Sequence, residues 1–162
     1  MIKRQRSSEG TRRRCQRSHT YVCENKGTSD KWVVNKVIED IDLLGHTEII
    51  LKGDGEPALI QLMEEITRRR SHSTIIQNPP AYDPQSNGAA EKAVQDYMGQ
   101  ERAGKIGLEY RLKVKVESQW PIMEWIGEHA CTLLDRCQVG HDGKVPYQRR
   151  MGKLSDKPIM EM

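Results

Sequence analysis

Two stretches decide how this chain is read: Ile49-Ile50-Leu51-Lys52-Gly53-Asp54-Gly55-Glu56-Pro57, and Tyr82-Asp83-Pro84-Gln85-Ser86-Asn87-Gly88-Ala89-Ala90-Glu91 further on. The first opens on a compact apolar run that fits a buried strand, with Asp54 just past its end. Pro57 suits the first turn of a following helix. The second stretch is a loop rich in Pro, Ser, Asn and Gly that leads into a helix starting near Asn87 and carrying Glu91. A carboxylate at a strand end and another opening a helix can converge on a divalent metal. Magnesium takes hard oxygen ligands and keeps positions open for phosphate, so a few carboxylates on separate rigid elements suffice. Each acid also has an ordinary reading, Asp54 as a turn former and Glu91 as a partner for the helix dipole.

Helices and short strands alternate outward from this centre. Thr28-Ser29-Asp30 offers N-cap residues, and Trp32, Val33, Val37, Ile38, Ile41 and Leu44 follow at helical spacing, with Gly45 as a natural C-cap. Leu59, Leu62, Met63 and Ile66 continue a helix from Pro57 to Arg70, and Thr74-Ile75-Ile76 is a second short strand. Asn78-Pro79-Pro80 cannot prolong that strand, because proline donates no ladder hydrogen bond. The helix after Asn87 takes in Val94 and Met98, with breaks expected at Gly104 and Gly107 before Leu108 and Leu112. Another helix starts at Trp120-Pro121, and the aromatic and Met residues of these helices read as core. His19-Thr20-Tyr21-Val22-Cys23 reads as a short strand. Alternation of this kind predicts an α/β domain.

With 162 residues the chain suits one domain with a single core, and an apolar fraction of 36% against 30% charged keeps that core modest. No stretch reaches the roughly 20 apolar residues of a membrane span, and the basic start has no apolar signal segment. The expectation is an intracellular protein with no membrane partner, the nucleus being one compartment open to it. Cys15, His19 and Cys23 suggest zinc, but a fourth ligand at finger-like spacing is missing, so the four cysteines read as reduced thiols. Charge is unevenly spread. Residues 1–20 hold seven Lys and Arg, among them Arg12, Arg13 and Arg14, against Glu9 alone, for +6; the overall +3 leaves −3 for the rest. Such an arm fits phosphate contact through counterion release, although taken by itself its charge is more often that of a solvated, disordered tail. The expected organisation is a basic irregular arm over 1–18, a domain over 19–153 and a tail over 154–162.

The run Tyr82 to Glu91 resembles the Pro-Gln-Ser-Asn-Gly-x-x-Glu signature of the retroviral and retrotransposon integrase catalytic core. Asp54-Gly55-Glu56-Pro57 looks like that family's turn after its fourth strand, and 36 residues separate Asp54 from Glu91, close to the family's usual interval. Gly140-His141-Asp142-Gly143-Lys144-Val145-Pro146-Tyr147 also looks like the end of many retroelement cores. The resemblance spans roughly residues 21–153, with Asp83 standing where many relatives have His.

What the resemblance implies is a ribonuclease-H-like α/β core, its mixed sheet flanked by helices, that transfers DNA strands with Mg2+ or Mn2+. Asp54 and Glu91 would be the catalytic metal ligands. Gln85, Ser86 and Asn87 would belong to a mobile loop near the DNA end, and Lys92 and Gln95 would be DNA contacts beside Glu91 on the helix. Lys92 is equally read as a solvated helix lysine. Partners would be retroelement DNA ends and target DNA, with a homo-oligomer possible. The family's first acid sits on a central strand, yet no Asp precedes Asp30, which reads as a helix cap. Glu24 is the one surrogate in view. The sheet is accordingly expected to lack its first strands, the copy to be N-terminally truncated and inactive, and the alternative is a non-catalytic nucleic-acid-binding remnant using the Arg-rich arm.

Overall fold

The computed structural model describes residues 2–3, 17–23, 27–77 and 88–159. Its contacts divide the chain into two compact units, Met1–Thr11 with Tyr21–Ala90, and Arg12–Thr20 with Glu91–Met162. Gln85, Ser86, Asn87, Arg12, Arg13, Arg14, Cys15 and Glu24 lie outside the described residues.

The first unit holds β1 (Ile2–Lys3), α1 (Lys31–Asp42), β2 (Glu48–Lys52), α2 (Pro57–Arg69) and β3 (Ser73–Gln77). Asp30 caps α1 as its spacing predicts, its carboxylate accepting the Trp32 N–H at 2.9 Å. Leu43 ends α1, and Gly45 follows in the left-handed region at φ 70°. Pro57 opens α2, where its missing N–H costs nothing. The apolar runs around Ile49 and Ile75 form β2 and β3, paired in parallel with Ile50 opposite Ile75, and α2 is the crossover that parallel neighbours require. Val34 and Ile41 from α1, Ile49 and Leu51 from β2, and Met63 and Ile66 from α2 make the core.

Two expectations change here. Ile2–Lys3, within the arm read as irregular, pair antiparallel with Leu51 and Ile50 of β2. Residues 19–23, expected as a strand, are irregular instead. What anchors that segment within the first unit is a side chain, the Tyr21 hydroxyl donating to buried Asp40 of α1 at 2.7 Å.

The second unit contains most of α3 (Gly88–Leu112), together with α4 (Ile122–Cys137) and α5 (Pro146–Met151). α3 runs 25 residues without a break at Gly104 or Gly107. An isolated glycine costs a helix only about 1 kcal/mol relative to alanine, too little to end one flanked by good helix formers. Met98, expected in a core, is exposed, as are Val94 and Leu112, and the one buried residue of α3 is Gly104. Ile106 and Tyr110 are exposed on another side of the same helix, so α3 as a whole has no single apolar stripe. α4 does have a buried face, with Ile126, Ala130, Cys131 and Leu134 inward. α5 was not foreseen. Two hydrogen bonds from Arg150 to Asp135, at 3.1 and 2.9 Å, hold it to α4. The chain is thus mixed α/β, mostly helical with a small sheet. Among the described residues no helix is long and apolar enough to cross a membrane.

Candidate functional site

Asp54 stands two residues past β2, in a connection shaped by packing. Gly53 is buried, and a Cβ there would come within 2.8 Å of Met63 Cε and 2.9 Å of Leu59 Cδ2. The absence of a side chain lets α2 close on the end of β2, which sets the direction in which Asp54 leaves the sheet. Asp54 itself is exposed, and its Oδ1 accepts the Glu56 N–H at 3.0 Å. Gly55, at φ 85°, supplies the left-handed residue inside this Asx turn. Ile60 then donates to the Glu56 carbonyl at 2.9 Å, which begins α2. Strand, turn and helix therefore hold the Asp54 carboxylate at the surface with one oxygen already engaged.

Glu91 is exposed in the first turn of α3, where a carboxylate favours the positive end of the helix dipole. It belongs to the second unit and Asp54 to the first. Lys92, read as a DNA contact, makes an ion pair with Asp96 one turn on, at 2.7 Å. Asp96 also accepts from Gln138 of α4 at 2.9 Å. The Lys92 bond, and after it that of Gln138, holds the Asp96 carboxyl below the usual carboxylate range. Lys92 is therefore a paired helix lysine with its side chain still largely exposed. Gln95 is exposed on the same stretch of α3, at the edge of a groove of about 440 Å³ that Leu133 and Cys137 of α4 also line.

Asp54 and Glu91 are the donor type that Mg2+ and Mn2+ prefer, and both have carboxylate oxygen at the surface. Among the described residues no group of three or more His, Cys, Asp or Glu gathers to hold a metal.

Sequence reading missed several side chains that the structure makes prominent. Arg70 ends α2 with its side chain wholly buried, donating to Asp42 at 2.8 Å, Thr74 Oγ1 at 3.1 Å, the Ser73 carbonyl at 3.2 Å and the His46 carbonyl. Nothing in its local sequence distinguishes it from Arg68 and Arg69. Trp125 and His129 stack on α4, a pairing that the four-residue step permits but does not announce. No protein-family model and no curated protein matches the chain.

Proposed function

We propose that this chain is a retroelement integrase-core-like protein of ribonuclease-H-like ancestry that binds nucleic acid and is inactive in metal-dependent strand transfer. The observation that carries this reading is the run Tyr82 to Glu91, in company with an acid just past a buried strand at Asp54. Parallel β2 and β3 joined through α2, followed by a long helix opening near Glu91, suit such a core. Asp54 and Glu91 would act as ligands for Mg2+ or Mn2+. The ancestral reaction is attack by a 3′-hydroxyl on a phosphodiester in line with the leaving oxygen, which a pair of metals assists.

The inactivity is proposed of these 162 residues by themselves, in which Asp54 and Glu91 match two of the three acids of the family that the sequence resembles. The first Asp of the sequence is Asp30, and its carboxylate is occupied as the α1 cap. Asp54 and Glu91 would then hold the metal without a third carboxylate, and loss of one well-placed electrostatic contributor typically slows a reaction by about 10²–10³. The test is joining of retroelement-end DNA with Mn2+ present, with duplex binding measured alongside. Binding without joining is expected. Robust joining that Glu91→Gln abolishes would overturn the inactivity, and absence of any DNA binding at low salt would overturn the reading as a whole.

The +6 charge of residues 1–20 favours a second reading, a non-catalytic binder that works through its arm. The two part on the acids. The first reading expects Mn2+ binding that Glu91→Gln abolishes, whereas a binder working through its arm alone shows no such binding and keeps its DNA affinity in Glu91→Gln.

A further inference from the structure

One face of α4 carries chemistry that neither the core nor the Asp54 and Glu91 carboxylates use. Trp125, His129, Thr132 and Arg136 recur at steps of four, three and four residues, which keeps them on one side of the helix. The Trp125 and His129 rings stack, with centroids 4.9 Å apart and planes 11° apart. Burial pushes the His129 imidazole pKa down, so at neutral pH the stacked pair is an uncharged platform. The cation of this face is Arg136, whose guanidinium lies 6.0 Å from the Tyr147 ring centroid on α5. Pro158 and Ile159 form the opposite wall of a shallow groove of about 210 Å³, with Glu128 on its lining. That volume is below the range usual for a drug-sized molecule and suits a single flat ring.

We propose that this α4 groove binds an unpaired nucleotide of single-stranded nucleic acid, its base stacked on the Trp125–His129 platform and its phosphate against Arg136. Aromatic platforms beside a cation recognise single strands because every base has a π-face and every link carries a negative charge. Glu128 adds selectivity. Its carboxylate accepts from an exocyclic amino group, which cytosine has and thymine lacks. The choice of a nucleotide over another flat anion rests on the nucleic-acid reading above; the ring platform, the cation and the groove do not.

The full chain tests this. The protein has three tryptophans, so Trp32→Phe with Trp120→Phe leaves Trp125 as the sole indole reporter. Deoxycytidine 5′-monophosphate quenches it saturably, thymidine 5′-monophosphate does so more weakly, and deoxyribose 5-phosphate leaves it unchanged. Trp125→Leu and Arg136→Gln, each with the parent's circular dichroism, bind a short oligodeoxycytidine about 10-fold more weakly than the parent, the scale of one lost stacking or charged contact. Quenching by deoxyribose 5-phosphate alone would reduce the groove to an anion site and overturn the proposal. Unchanged oligonucleotide affinity in both variants would overturn it too, while leaving the nucleic-acid reading intact. No binding of either single-stranded or duplex DNA by the parent would overturn both.

Discussion

The Asp54 carboxylate accepts the backbone N–H of Glu56 at 3.0 Å, so the residue proposed to hold a metal also shapes the turn from β2 into α2. These two roles separate by substitution. Asn keeps an oxygen acceptor for the turn and removes the charge, whereas Ala removes both. Asp54→Asn is expected to abolish the heat of Mn2+ binding in calorimetry while leaving the unfolding midpoint in place. Asp54→Ala is expected to lose the same heat and about 1 kcal/mol of stability, the usual value of a side-chain acceptor for a backbone N–H at a helix start. Equal heats from parent, Asp54→Asn and Glu91→Gln would remove both acids from the metal site.

Arg70 joins the end of α2 to the turn after α1 and the start of β3, through Asp42, the His46 and Ser73 carbonyls and Thr74. Its side chain is fully buried while Asp42 stays partly exposed, so its removal leaves a gap under α2 and frees acceptors that water can only partly satisfy. Arg70→Met is expected to destabilise the protein by about 2–4 kcal/mol in urea unfolding. Arg70→Lys should recover little of this, since a single ammonium cannot reproduce the planar fork that reaches four acceptors. A change below about 0.5 kcal/mol in Arg70→Met would show that the cluster contributes no net stability.

Arg12, Arg13 and Arg14 concentrate the positive charge of the arm in three consecutive positions. If the arm meets nucleic acid, duplex affinity falls with salt along a log–log slope of about 0.9 per phosphate contacted. Changing all three to Gln is expected to lower that slope by two to three contacts and to weaken binding most at low salt. This substitution spares Ile2–Lys3 and their pairing with β2, which deletion of the whole arm would remove. An unchanged slope would place the electrostatic contacts elsewhere on the chain.

Burial pushes the Cys131 thiol up to about 11 from an ordinary value of 9.0, because a thiolate inside α4's packed face has little water to stabilise it. Cys23 and Cys137 are exposed. Iodoacetamide at pH 8, with peptides mapped by mass, is expected to label Cys137 and Cys23 at least about 100-fold faster than Cys131, since the thiolate is the nucleophile. The same shift has a consequence for stability. Its folded value lies above its unfolded one, so the contribution is fully present below pH 9 and is lost as pH rises toward 11. Cys131→Ala should flatten that alkaline decline. Equal labelling of all three thiols would contradict the packing of α4.

Local chemistry was enough to read much of the framework from the chain itself. A three-residue apolar run, a proline one step inside a helix and an Asp before an amphipathic segment each act within a few residues, so β2, β3, α1 and α2 were visible in advance. So were the identities of the acids and the concentration of positive charge before residue 20. Tertiary structure alone decided the rest, because it depends on groups distant in the chain. Gly53 is small because Leu59 and Met63 close on it, and Arg70 differs from its neighbours only in the acceptors that surround it. α3 passes through two glycines that a local reading takes as breaks, and Trp125 meets His129 on a face walled by Pro158 and Ile159. Sequence patterns specify which elements form, since propensity and periodicity are short-range. Which side chains then share a site is settled by packing, where a contact between distant residues outweighs the preference of either one.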